Sequence, residues 1–82
     1  MDAKDAIKLA IDYIKEFYPI VTNPLLEEVE DDDSNNSWLI TLSFNLEKSD
    51  VYQFLDIPNR TYKTVEIEKS NGNVKSMKIR QL

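Results

Sequence analysis

The residues of this 82-residue chain best suited to chemistry are acids: 15 Asp and Glu stand against 10 Lys and Arg, and there is neither His nor Cys. Their densest group is Asp31-Asp32-Asp33-Ser34-Asn35. Asp31, Asp33 and Asn35 match the first three ligand positions of an EF-hand loop, where alternate oxygens converge on calcium. The match then fails, with Asn36 in place of the turn-forming glycine and Leu42 in place of the bidentate glutamate. The run reads instead as a solvated hairpin tip, and no metal is expected. Paired carboxylates could also serve general acid–base hydrolysis, but one of them then needs a dry pocket that raises its pKa. A domain this small rarely encloses one. Without His or Cys, catalytic triads, thiolate mechanisms and the usual zinc sites have no members. Gly72 is the single glycine, so no glycine-rich phosphate loop is present. The expectation is a non-catalytic chain without a cofactor.

Charge placement points toward a partner. The net charge is −5, yet residues 21–58 carry nine acids opposed only by Lys48, while residues 59–82 carry six bases against Glu66 and Glu68. Lys63, Lys69, Lys75, Lys78 and Arg80 lie near Tyr62, and aromatics on a sheet can stack bases. The negative total argues against nucleic acid, and basic residues on edge strands also guard against edge-to-edge aggregation. An acidic middle suits a basic protein surface; the plainer alternative is that acidic and basic segments are sheet neighbours offsetting one another. The candidate partner-binding residues are Glu28, Glu30, Asp31 and Asp33, with Tyr52 and Phe54 from the apolar stretch that follows. No apolar run approaches the roughly 20 residues of a membrane span. Met1-Asp2-Ala3-Lys4-Asp5 lacks the basic flank and apolar core of a signal peptide, so a cytoplasmic address is expected.

The elements that must position these residues follow from periodicity. Trp38, Ile40, Leu42 and Phe44 alternate with Leu39, Thr41 and Ser43, the pattern of a strand with one strongly apolar face. Residues 3–18 offer its cover: Ala3, Ala6, Ile7, Ala10, Ile11, Tyr13, Ile14, Phe17 and Tyr18 share one helical arc. Asp2 is the expected N-cap and Pro19 the stop. The strand before the acidic turn is expected over residues 25–30, with Leu25, Glu27 and Val29 on one face. Residues 45–59 are ambiguous between a short helix, an extended strand and an apolar lip.

Two further strands are expected over residues 60–69 and 74–82, with Val65, Ile67, Met77 and Ile79 inward. Bringing these four to one face requires directly opposed residues to have an even index sum, hence an odd loop. Ser70-Asn71-Gly72 fits a three-residue loop with Gly72 left-handed, and a two-residue Asn-Gly turn does not. The stretch Tyr62-Lys63-Thr64-Val65-Glu66-Ile67-Glu68-Lys69-Ser70-Asn71-Gly72-Asn73-Val74 resembles the closing hairpin of PepSY-type domains, and the small-residue helix followed by Trp38 opening a strand is similar to that family's layout. Glu68 or Lys69 replaces the family's usual Asp before the turn. The resemblance implies a cystatin-like α+β fold and an inhibitory or binding role, sometimes toward peptidases, with no catalytic residue carried over.

The reading is a single α+β domain, residues 1–82, with one N-terminal helix across a four-stranded antiparallel meander. Its expected function is that of a small acidic inhibitor or immunity-type protein that neutralises another protein. A PepSY-like module regulating a peptidase and a structural, self-associating domain are the alternatives.

Overall fold

The computed structural model describes residues 1–18, 21–45 and 60–80. The elements are α1 (Ala3–Phe17), β1 (Thr22–Asp32), a 3-10 turn (Asp33–Asn35), β2 (Ser37–Asn45), β3 (Arg60–Glu68) and β4 (Val74–Ile79). The four strands form one antiparallel sheet in the order β1-β2-β3-β4, with α1 packed on one face. This is the α+β arrangement that the periodicity predicts.

α1 forms where its ends are chemically marked. The Asp2 carboxylate accepts from the Asp5 N–H at 2.9 Å, satisfying one of the free donors of the first turn. At the other end the Tyr18 N–H still reaches the Ile14 carbonyl, and Pro19 follows. Ala6, Ala10 and Ile14 make a fully buried line over Ile40, Leu42, Phe44, Val65 and Ile67. The two alanines bring the helix backbone close to the sheet, and Ile7, Ile11, Tyr18, Trp38 and Met77 close the margins. Tyr18 stacks near Phe44, ring centroids 5.9 Å apart. Phe17, expected in the core, is 57% exposed and packs on Tyr13 at 4.8 Å. Ile14 and Tyr18 already fill the space beneath the last turn.

One expectation about strand faces is corrected, and one inward residue proves uncovered. Leu26 opposes Leu42 and Val29 opposes Ile40, so both lie on the helix side, whereas Leu25 and Glu28 oppose Ser43 and Thr41 on the far side. An irregularity between Leu26 and Glu28 adds one residue to β1, and one residue reverses the side-chain parity. Ile79 does lie on the helix side, opposite Lys63, but stands 69% exposed, beyond the cover of the helix.

The last hairpin keeps the required parity by a different device. Lys63↔Ile79, Thr64↔Lys78, Val65↔Met77 and Glu66↔Ser76 share an even index sum. The loop, however, closes between Glu68 and Asn73, with the Glu68 N–H on the Asn73 carbonyl and the Gly72 N–H on the Glu68 carbonyl, both at 2.8 Å. Four residues therefore lie in the turn, not three. A shift between Glu66 and Ile67 in the pairing, which leaves Lys75 as the extra residue on β4, restores the inward face. Gly72 has φ +74°, the left-handed geometry expected of it.

A Cβ at Gly72 would meet Met1 Cε at 2.8 Å and Leu9 Cδ1 at 3.2 Å, both flexible ends, so the backbone sets the cost of substitution. Gly72→Ala should lose about 1–2 kcal/mol of stability in urea unfolding, and Phe44→Ala about 3–5 kcal/mol. An unchanged midpoint for Gly72→Ala would contradict the left-handed turn.

Candidate protein-binding edge

The candidate acids all belong to β1 and the turn after it. β1 is an edge strand among the described residues. Asn23, with φ +50°, and Pro24 occupy its first irregularity, between Thr22 and Leu25. A proline is tolerated there because an edge position need not donate to a ladder. Leu25 is 53% exposed, Leu26 46% and Val29 37%, with Glu27, Glu28 and Glu30 interspersed and exposed. The edge thus carries exposed apolar side chains on both faces, Leu26 and Val29 on the helix side and Leu25 on the far side, where Glu28 and Glu30 also lie.

The four acids do not form one patch. Glu28 and Glu30 oppose Thr41 and Leu39 on the far face, while Asp31 opposes Trp38 on the helix face and Asp33 opens the 3-10 turn. Lys69, just past β3, ties the second pair: its ammonium bonds the Asp31 carboxylate and, at 2.8 Å, that of Asp33. The same ammonium lies 5.0 Å from the centroid of the Trp38 ring, a cation–π distance. Hydrogen bonding to Asp31 and then Asp33 raises the Lys69 pKa. The hydrogen bond and the charge of Lys69 in turn hold the Asp33 carboxyl below its ordinary range. Asp32 is also lowered, first by the Asn35 amide and then by the Ser34 hydroxyl, at 2.8 and 2.9 Å. Asn36, at φ +51°, closes the turn and gives its carbonyl to the Lys69 N–H.

On the far face the central strand carries small polar side chains: Ser37, Thr41 and Ser43 are buried between longer neighbours. Thr41 and Thr64 share a hydrogen bond of 2.9 Å, and the Ser43 hydroxyl donates to Glu27 at 2.5 Å. Arg80 reaches across from beyond β4 to Glu28 at 3.2 Å and to the Thr41 hydroxyl at 3.4 Å. Lys75 donates to the Asn35 carbonyl and the Ser37 hydroxyl, both at 3.0 Å. The acidic and basic segments thus offset one another at several points, as the plainer charge reading holds. Glu27 and Glu30 are the exposed acids on this strand without an ion-pair partner among the described residues, and of the two Glu27 is held by the Ser43 hydroxyl.

Tyr52 and Phe54 lie outside the described residues. Sequence reasoning missed Leu25, Leu26 and Val29 as exposed positions and Lys69 as the tie between Asp31 and Asp33. The adjacent leucines held a signal, because neighbours on a strand point to opposite faces and one must leave the core. Among the described residues, no group of three or more acidic side chains is placed to hold a metal, and no helix is long and apolar enough to cross a membrane.

The tie predicts a pH signature. Asp33 has a depressed folded pKa, so its contribution to stability is complete above the ordinary carboxylate value and lost as pH falls through the folded one. Lys69 is raised, so its contribution is complete below the ordinary lysine value of 10.5 and lost as pH rises through the folded one. Stability from this cluster should be flat across neutral pH. In Lys69→Gln the Asp33 carboxyl should titrate higher than in the wild type, as followed by carbon NMR. Identical titrations in both proteins would contradict the tie. Compared with protein-family profiles, curated proteins and solved structures, the chain matches none, so the residues named here rest on geometry and chemistry alone.

Proposed function

We propose that the protein is a non-catalytic binding domain whose β1 edge docks a basic surface of another protein and neutralises it, in the manner of an inhibitor or immunity protein. The observation that carries this reading is the exposure of Leu25, Leu26 and Val29 on an edge strand bordered by Glu27, Glu28 and Glu30. Apolar anchors supply affinity, and the surrounding carboxylates steer a basic partner and set orientation. An edge strand also offers unpaired backbone groups to an added strand. Enzymatic chemistry finds little support: His and Cys are absent from the chain, and Asp32 and Asp33 are pushed below the carboxylate range, opposite to a general acid.

A PepSY-like module regulating a peptidase is the second reading, favoured by the helix across an antiparallel sheet and by the left-handed Gly72 before Val74. It demands the same absence of catalysis and differs in the partner.

The test is capture of partners from the source cell's lysate at low and high salt, followed by kinetics with the purified partner. Glu30→Lys leaves the Lys69 and Arg80 ion pairs in place, and Leu26→Ser removes an anchor from the edge. The expected result is an association rate that falls about tenfold or more at high salt and in Glu30→Lys, with faster dissociation in Leu26→Ser. Binding indifferent to ionic strength and to both substitutions would overturn the assignment of this edge. Identification of the captured protein as a toxin-like basic protein or a peptidase separates the two readings.

A further inference from the structure

Among the described residues β1 and β4 are the two edges of the sheet; they complement each other, and we infer that β4 of one copy pairs with β1 of a second copy, extending the sheet head to tail. The match holds on both faces. On the helix side β1 presents Leu26 and Val29 and β4 presents Met77 and Ile79; Leu26, Val29 and Ile79 are exposed. On the far side β1 presents Glu28 and Glu30, while Lys78, opposite Thr64, and Arg80 occupy β4 and its end. Strand direction agrees as well. In an antiparallel meander of four strands, β1 of the next copy runs opposite to β4 when the copies share one orientation, so both helices stay on the same side of the sheet.

Backbone alternation fits the same pairing. The Arg80 N–H bonds the Tyr62 carbonyl, so Arg80 and Lys78 turn their backbone groups toward β3 and Ile79 and Met77 turn theirs outward. On β2 the Asn36 carbonyl faces Lys69; Ser37, Leu39 and Thr41 therefore turn toward β1. Their partners Asp32, Glu30 and Glu28 face inward, and Val29 and Asp31 face outward. Outward Val29 set against outward Ile79 places Glu30 opposite Lys78, an acid–base pair beside one apolar pair; Glu28 falls opposite Arg80, and these two already pair with each other within each copy. The symmetric alternatives set like charges against each other: two β1 edges oppose Glu28 to Glu30, and two β4 edges oppose Lys78 to Arg80. A heterologous contact between unlike edges leaves a free edge at each end and so permits growth beyond a dimer.

The test uses sedimentation velocity of the full chain over a concentration series at low salt. Val29→Pro removes an outward donor at the centre of the contact on β1 and Ile79→Pro its counterpart on β4, and neither donor belongs to a ladder among the described residues. The wild type should grow past a dimer, and each proline variant should stop at the monomer. An equal mixture of the two should form a one-to-one dimer that grows no further, because one edge remains open on each. A charge pair tests the same contact without proline: Glu30→Lys and Lys78→Glu should each associate at least tenfold more weakly than wild type, and their mixture should recover it. A wild type that stays monomeric throughout would overturn the proposal, and so would a dimer that survives both prolines or does not respond to the charge swap.

Discussion

The structure depends on covering one face of β2 with α1. Ile40, Leu42 and Phe44 are fully buried beneath Ala6, Ala10 and Ile14, and the small alanines allow the approach that removes water from all of them. The dimensions of the cover decide the rest. A helix is about 10 Å across, whereas four strands at roughly 4.8 Å spacing span about 14 Å before side chains are added. Ile40, Leu42, Phe44, Val65 and Ile67 on the helix side of β2 and β3 are dry. Those at the margins, Leu26 and Val29 on β1 and Ile79 on β4, are left in water.

Much of this frame was legible in the chain itself, because it rests on local periodicity. The β2 alternation, the Asp2 cap, the Pro19 stop and the even pairing of β3 with β4 each follow from a few neighbouring residues. What was not legible depends on single inserted residues. Glu27 reverses the parity of β1, and Lys75 allows a four-residue turn where parity alone favoured three. Neither position carries a glycine or another mark of irregular backbone. The site fared similarly. The acids of β1 were visible as a charge run, but their division between two faces is set by the register, and their ties to Lys69 and Arg80 join residues 36–52 positions apart in the chain.

The uneven charge of the chain has a spatial counterpart. The acid-rich segment forms one edge and the base-rich segment the other, so the sheet carries a dipole across its width. Arg80 to Glu28 and Lys69 to Asp31 and Asp33 discharge part of it within the molecule. Exposed ion pairs of this kind contribute little to stability individually. They fix where long side chains lie across the far face and at the turn, and Glu30 is left available on β1.

Trp38 is the sole indole of the chain. Its ring lies beneath the Lys69 ammonium, and its N–H is buried without a hydrogen-bond partner among the described residues. The indole stands at the end of the sheet where the Asp33–Asn35 turn and the turn after β3 meet. The protein therefore contains its own fluorophore at that junction. Its emission registers the position of one ammonium group, so the state of the two turns can be read optically without any label.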